Sequence, residues 1–291
     1  MNTAKKLLLI VLVLVQMVVF SSCSNSSSQN NSDKLQVYTS FYAMYDFAKQ
    51  IGGDKADVHI MCAVGQEPHD YEPTAQDIAK LSGADVFIYN GMGMEHWVDS
   101  VVDTLNGSLI VVQTSDYAKH ITETEDPHIW LNPENALSQL KSIADAFKKA
   151  DSENTGYYDE RFKECEEKIN RLIEDYNSTA AEFKHDTIVV SHEAYANICE
   201  PLGLKQVAIN GSDNGEDPTP SRMADIIRLI KGKNIKYIFT EPLSSSSVIE
   251  TIADDADCGI LVLDPFEGNL EGKDYFTVMY ENLEAIKTAL S

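Results

Sequence analysis

The sequence predicts an α/β fold in which two four-stranded parallel-sheet lobes are joined by one long rigid helix, with the functional site in the cleft between the lobes. Three observations predict it. Short β-branched and aromatic runs alternate with segments of helical spacing in both halves, the pattern of parallel strands covered by helices on both faces. Between the halves lies an uninterrupted amphipathic stretch of helical period. The chain has 291 residues, 43% of them hydrophobic, which is enough for two core-bearing lobes and too apolar for a disordered chain.

The first element is not part of the folded body. Lys5 and Lys6 precede an apolar run from Leu7 to Val15 that resumes from Met17 to Phe20, followed by Ser21, Ser22 and Cys23. The run is short for a membrane-spanning helix and reads as a signal peptide over residues 1–22. Small residues before a lone cysteine resemble a bacterial lipobox, in which Cys23 is acylated and becomes the mature N-terminus, although Phe20 is unusual there. A plain secretory signal cut near Ser22 is the alternative. Residues 23–33 contain SNSSSQNNS and offer nothing to bury, so they read as a flexible lipid-anchored tether.

An N-terminal lobe over residues 34–150 contains strands at Gln36–Thr39, Val58–Cys62, Asp85–Tyr89 and Leu109–Gln113. In the linking segment 151–184, Tyr158, Phe162, Cys165, Ile169, Leu172, Tyr176 and Phe183 recur at steps of three, four or seven. No Gly or Pro interrupts residues 157–183, so one helix of about 40 Å is expected there, stiff enough to limit hinge closure. The C-terminal lobe, 185–291, repeats the rhythm with strands at Thr187–Val190, Gln206–Ile209, Lys236–Thr240 and Ile260–Leu263. Helices are expected near 193–200, 219–231, 245–256 and 274–289.

Charge narrows the partners. With 46 Asp and Glu against 23 Lys and Arg the net charge is -23, and removing residues 1–22 with their two lysines leaves 21 − 46 = −25. Such a surface repels phosphate backbones, which excludes nucleic acid, and repels anionic lipid, which makes an acyl anchor useful. Past Cys23, four cysteines remain in an oxidising compartment and permit three complete pairings. They may equally stay free; Cys165 falls on the apolar stripe and reads as core, while Cys199 and Cys258 form the candidate bridge. Nothing marks oligomerisation, so the chain reads as a monomer.

Three of the seven histidines sit in acidic or proline-marked turns: His69 within Gly65–Pro73, His128 within Glu125–Pro133, and His192 within Val190–Tyr195. Each follows a predicted strand, and in parallel sheets the crevice beyond the carboxyl ends of the strands is where ligands bind. A fourth strand end, Leu263–Gly268, offers Asp264 and Glu267. Three neutral imidazoles and one carboxylate make a four-coordinate set that suits Zn2+ well and Mn2+ less well. The spacings of 59, 64 and 75 residues (from His69 through His128 and His192 to Glu267) require tertiary assembly rather than a local chelate. Pro68 and Pro127 fix the backbone before His69 and His128. His59 and His185 read as structural, His120 as solvated, and His96 as outside the ligand set. Glu193 and Glu67 are candidate acceptors for a ligand ring N–H.

The sequence resembles the solute-binding lipoproteins of zinc and manganese ABC transporters. The resemblance covers nearly the whole mature chain and is carried, in order, by EPHDYEPTAQDIAKLSGADVFIYNG from Glu67, MEHWVD from Met94, DPHIWLNP from Asp126, VVSHEAY from Val189, GLKQVAI from Gly203, EDPTPSR from Glu216 and VLDPFEG from Val262. It implies an extracytoplasmic protein, lipid-anchored on the cell membrane, that captures Zn2+ and delivers it to an ABC permease driven by its ATPase. It also implies His69, His128 and His192 as ligands, with Glu267 as the fourth, as in the zinc-binding members of Gram-positive bacteria. In manganese-type members an Asp is used, which maps near Asp264, and Glu replaces the third His. The family's frequent His-rich loop is absent, since Thr114–Asp126 offers only His120.

A secreted zinc hydrolase is the competing class, and an adhesin or structural role is a weaker one. His192–Glu193 is followed by Ala194, Tyr195 and Ala196 rather than completing His-Glu-x-x-His. Ser191 lies in no Gly-x-Ser-x-Gly elbow, and Gly91–Gly93 is too short for a dinucleotide fingerprint. An enzyme is therefore not expected.

Overall fold

The computed structural model describes residues 34–105, 107–210, 218–244, 247–268 and 271–291. The expected signal peptide, the acylation site Cys23, the tether through Asp33, and Glu216 and Asp217 lie outside these residues. The body from Lys34 onward forms one contact unit.

Strands β1 (Leu35–Thr39), β2 (Ala56–Ile60), β3 (Val86–Tyr89) and β4 (Ile110–Gln113) pair in the order β2-β1-β3-β4. All three ladders are parallel, with Val37 opposite both Val58 and Val86, and Ile88 opposite Val112. In the inner strand β3, Val86, Phe87 and Ile88 are all buried, whereas the edge strand β4 leaves Val111 exposed. That contrast is expected of a parallel sheet covered on both faces in its middle. Helix α1 (Tyr42–Gly52) buries Ala43, Met44, Phe47, Ala48 and Ile51. The short helices α2 (Ala75–Leu81) and α3 (Val98–Val102) follow β2 and β3, and a Thr74–Asp77 capping box starts α2. Helix α4 (Pro133–Ala150) begins on the Asn132 cap with Pro133 in its first turn.

The linking helix, α5, runs over Thr155–Ala180, about 39 Å at 1.5 Å per residue. Tyr158, Cys165, Ile169, Leu172 and Tyr176 are buried, as their spacing requires. The helix ends short of Phe183 because the chain turns there, with Lys184 N donating to Leu290 O at 2.8 Å. It packs on α4, α1 and α9 (Tyr275–Leu290), and the Tyr176 hydroxyl donates to Met279 O at 2.6 Å.

In the second half, β5 (Thr187–Val190) pairs with β6 (Lys205–Ala208), and β7 (Tyr237–Thr240) pairs with β8 (Gly259–Val262), both in parallel. The four strands stand at the expected places, but they form two two-stranded ladders rather than the expected continuous four-stranded sheet. β5 lies beside β7, and past their ends the junction is made by side chains: Ser191 Oγ and His192 Nδ1 approach Glu241 Oε1 to 2.6 and 2.7 Å. Helices α6 (Ala196–Cys199), α7 (Pro220–Lys233) and α8 (Ser247–Ala256) complete this half. One hydrophobic cluster runs from Val37 and Phe41 through Trp130 to Ile188, Val190 and Phe266, and so crosses both halves.

The expected Cys199–Cys258 bridge is not formed; Cys62, Cys165, Cys199 and Cys258 are free thiols. Cys199 precedes β6 and Cys258 precedes β8, the outer strands of the order β6-β5-β7-β8.

Candidate metal centre

Loops leaving the carboxyl ends of β2, β4, β5 and β8 carry His69, His128, His192 and Glu267 to one point. One donor atom from each lies within 4.8 Å of the other three. His69 Nε2 is 3.3 Å from His128 Nε2, and Glu267 Oε1 is 2.7 Å from His128 Nε2 and 3.9 Å from His69 Nε2. A tetrahedral ion with bonds of about 2.0–2.1 Å has donor–donor edges of about 3.3 Å, so these spacings suit Zn2+. His192 Nε2 is buried without a hydrogen-bond partner, an arrangement that a cation would satisfy. His128, His192 and Glu267 have side chains 2%, 0% and 2% exposed, and His69, at 20%, faces solvent.

Each buried ring is aimed by a carboxylate on its far side. Asp126 Oδ1 accepts from His128 N at 3.0 Å and meets His128 Nδ1 at 2.6 Å, while its Oδ2 accepts from Ala196 N at 3.1 Å. Asn197 Nδ2 donates to Asp126 O at 3.0 Å, so α6 of the second half braces the His128 turn. Glu241 Oε1 meets His192 Nδ1 at 2.7 Å and accepts from Ser191 Oγ at 2.6 Å and from the Tyr195 hydroxyl at 3.1 Å. Both acceptors turn a ring so that Nε2 faces the centre, the arrangement metal-bound imidazoles require.

Burial disfavours the charged form of His128, but Asp126 and Glu267 outweigh it and hold the imidazole up at about 10. Burial likewise works against protonated His192, and Glu241 overrides it, raising that group. Burial pushes Glu267 up, and the imidazoles of His128, His192 and His69 hold it below its ordinary range.

Of the two candidate carboxylates in the last motif, Glu267 joins the cluster and Asp264 does not. Asp264 Oδ1 accepts from Phe266 N at 2.7 Å, closing the turn, and Asn282 bonds both Asp264 N and Asp264 O. Phe266 has φ +61, a left-handed conformation unfavourable for a bulky residue, and that twist turns the next residue, Glu267, inward. Trp130 Nε1 donates to Pro265 O at 2.7 Å, and Gly65 N to Gly268 O at 3.0 Å, which pins the loop bearing His69 beside Glu267.

The other histidines stay outside. His96 pairs with Glu72 at 3.0 Å, His120 with Glu134 at 2.9 Å, His59 lies 3.6 Å from Asp57, and His185 is exposed. Glu193, expected as a ring acceptor, is exposed, and Glu67 Oε1 accepts from His69 N at 3.4 Å. Sequence reasoning missed Asp126 and Glu241 in that role. Two signals mark them: Asp126 is one proline away from His128, and Glu241 directly follows β7, a strand end like those that supply the ligands.

A parallel α/β scaffold with a buried three-imidazole, one-carboxylate centre defines a metal-binding class. The family model described as ZnuA, zinc-uptake complex component A periplasmic, matches residues 37–289, and the chain belongs to that family. The high-affinity zinc uptake system protein ZnuA of Bacillus subtilis (strain 168) is 34% identical over 284 residues, covering 90% of this chain and 89% of that protein. The zinc-binding protein AdcA of Streptococcus pyogenes serotype M3 is 32% identical over 286 residues; 87% of this chain is matched, but the chain spans only 56% of that relative's length. The crystal structure of the Zn(II)-bound ZnuA-like domain of Streptococcus pneumoniae AdcA superposes with a TM-score of 0.79 at 30% identity, covering 88% of this chain and 99% of that one.

Proposed function

We propose that this protein captures Zn2+ outside the cytoplasmic membrane through His69, His128, His192 and Glu267 and delivers it to an ABC permease and its ATPase. The observation that carries the reading is the convergence of four donors from four separate loops, with His192 Nε2 buried and unpartnered. Three nitrogens to one oxygen favour zinc over manganese, which is held best by oxygen-rich sites. The membership of a zinc-uptake family and the zinc-binding names of the relatives support the cargo.

Four protein donors fill a four-coordinate shell and leave no position for an activated water, so the site is a carrier's rather than a hydrolase's. Asp126 and Glu241 keep Nδ1 of His128 and His192 engaged, leaving Nε2 to bind. Arriving Zn2+ displaces the protons held by the cluster, and the ion enters from the side of His69, the solvent-facing ligand. The two halves act as one body, because the shared core and the long helix α5 resist hinge closure. Acylation at Cys23 anchors the chain on the extracytoplasmic face, and it works as a monomer. The strongly acidic surface complements basic patches on a permease.

Competition titration of the metal-free protein with Zn2+ and Mn2+ tests this reading. Tight zinc binding is expected, abolished in His192→Ala and weakened in Glu267→Ala. A preference for Mn2+, or undiminished zinc binding in His192→Ala, overturns it.

A further inference from the structure

The segment from Asn90 to Trp97 supplies no donor to the metal cluster, yet it encloses a buried carboxylate, Glu95. Its backbone takes an unusual path. Gly91, Met92 and Gly93 have φ of 90, 55 and 81, three consecutive left-handed residues of which one is not glycine. A Cβ on Gly91 would sit 2.5 Å from Ser115 Oγ and 2.7 Å from Gln113 Cγ, so the path is open only to glycine. It aims two successive amides at one carboxylate: Asn90 N donates to Glu95 Oε1 at 2.8 Å, and Gly91 N to Oε2 at 2.9 Å. Ser40 Oγ, just past β1, donates to Oε1 at 2.6 Å.

These donors are neutral, and a carboxyl group buried among neutral donors is an expensive way to fill a core. What it accomplishes is visible in the next contacts. Asn90 Nδ2 donates to Pro127 O at 2.9 Å, and the Asn90 amide is oriented by Gln139 Nε2, which donates to its Oδ1 at 3.1 Å. Pro127 is bonded directly to His128. On the other side, Cys62 N donates to Ser40 O at 2.9 Å, at the start of the loop that reaches His69. One carboxylate thus clamps the ends of β1 and β3, and from there two hydrogen bonds lead to the backbones that present two of the four donors.

We propose that Glu95 is a positioning residue of the metal centre: gripped by Ser40, Asn90 and Gly91, it sets the backbone from which His69 and His128 are presented. This rests on the zinc-carrier reading. Removing a partner beyond the ligands themselves characteristically costs 10- to 100-fold in metal affinity, roughly the loss expected here.

The test compares the full mature protein with Glu95→Gln and Asn90→Ala, using Zn2+ for affinity and Co2+ as a spectroscopic probe of donor geometry. Both variants are expected to keep the far-ultraviolet circular dichroism of the parent, to bind zinc about 10- to 100-fold more weakly, and to shift the visible Co2+ bands. In the double variant the loss should be smaller than the product of the single losses, because both act along one path. A Glu95→Gln protein that melts earlier but keeps parental zinc affinity and Co2+ bands overturns the proposal. If Glu95→Gln does not fold, Asn90→Ala decides: unchanged zinc affinity and bands overturn it, and weakened binding with shifted bands supports it. A parent protein that binds neither ion refutes the carrier reading itself.

Discussion

At the scale of single residues, each buried imidazole has an acid behind its Nδ1 and turns its Nε2 toward the cluster. Glu241→Gln exchanges the carboxylate facing His192 Nδ1 for a neutral amide, and Asp126→Asn does the same behind His128. Either change is expected to weaken zinc by roughly 10- to 100-fold while leaving the fold intact, as isothermal titration with circular dichroism would show. Protonation makes a second prediction at this scale. His128 is raised to about 10, so at neutral pH zinc must displace its proton. Apparent zinc affinity should then climb about tenfold per pH unit from pH 6 to 9 for each proton released, and heats measured in buffers of different ionisation enthalpy would count those protons. A flat profile would refute the assignment. For the metal-free protein the signs differ. The contribution of raised His128 is present below 6.5 and lost as pH rises through about 10, whereas that of lowered Glu267 is present above 4.5 and lost in acid. Their joint contribution is largest between those limits, and melting temperatures of metal-free protein across pH would trace it.

What was legible in the sequence at this scale was the set of side chains that the fold brings together. His69, His128 and His192 stood out because each lies in an acidic or proline-marked turn after a strand. The fourth carboxylate was chosen by resemblance, and the left-handed turn at Phe266 is what separates Glu267 from Asp264 in space. Their acceptors were not legible: Glu193 and Glu67 are neighbours in sequence, while Glu241 reaches His192 across 49 positions because β7 lies beside β5.

Elements were placed more reliably than their pairings. The apolar stripe from Tyr158 to Tyr176 forecast α5, since helical period is local information. Truncating it should be costly: Leu172 is fully buried, and Leu172→Ala is expected to destabilise the fold by about 2–5 kcal/mol in denaturant unfolding. All eight strands were anticipated, but strand order is set by tertiary packing, which short runs such as Thr187–Val190 do not encode. Nor does local sequence decide cysteine pairing: the four described cysteines are free, and Cys199 ends α6 while Cys258 precedes β8. Thiol titration of mature, denatured, unreduced protein should therefore find four reactive thiols, and two would restore the bridge.

For the whole molecule, the sites of assembly lie on loops and the rigidity lies in the scaffold. A hydrophobic cluster is common to both halves, and a helix of about 39 Å packs along it, so on the proposed reading an ion would be taken up and released by loop motion. If zinc binds the folded form alone, as the proposed site implies, saturating zinc should raise the melting temperature, by an amount equivalent to about 4 kcal/mol at a thousandfold excess over Kd. If Cys23 is acylated as proposed, protein expressed from Met1 should fractionate with membranes, and Cys23→Ala should not carry the acyl group, which radiolabelled fatty acid would check.

The central claim, that three imidazoles and one carboxylate hold a single zinc ion, is tested most directly by zinc K-edge X-ray absorption on the loaded mature protein. The expected spectrum shows three imidazole nitrogens and one oxygen at about 2.0–2.2 Å with no sulfur. Fewer than three imidazoles, or a sulfur near 2.3 Å, would contradict the site described here.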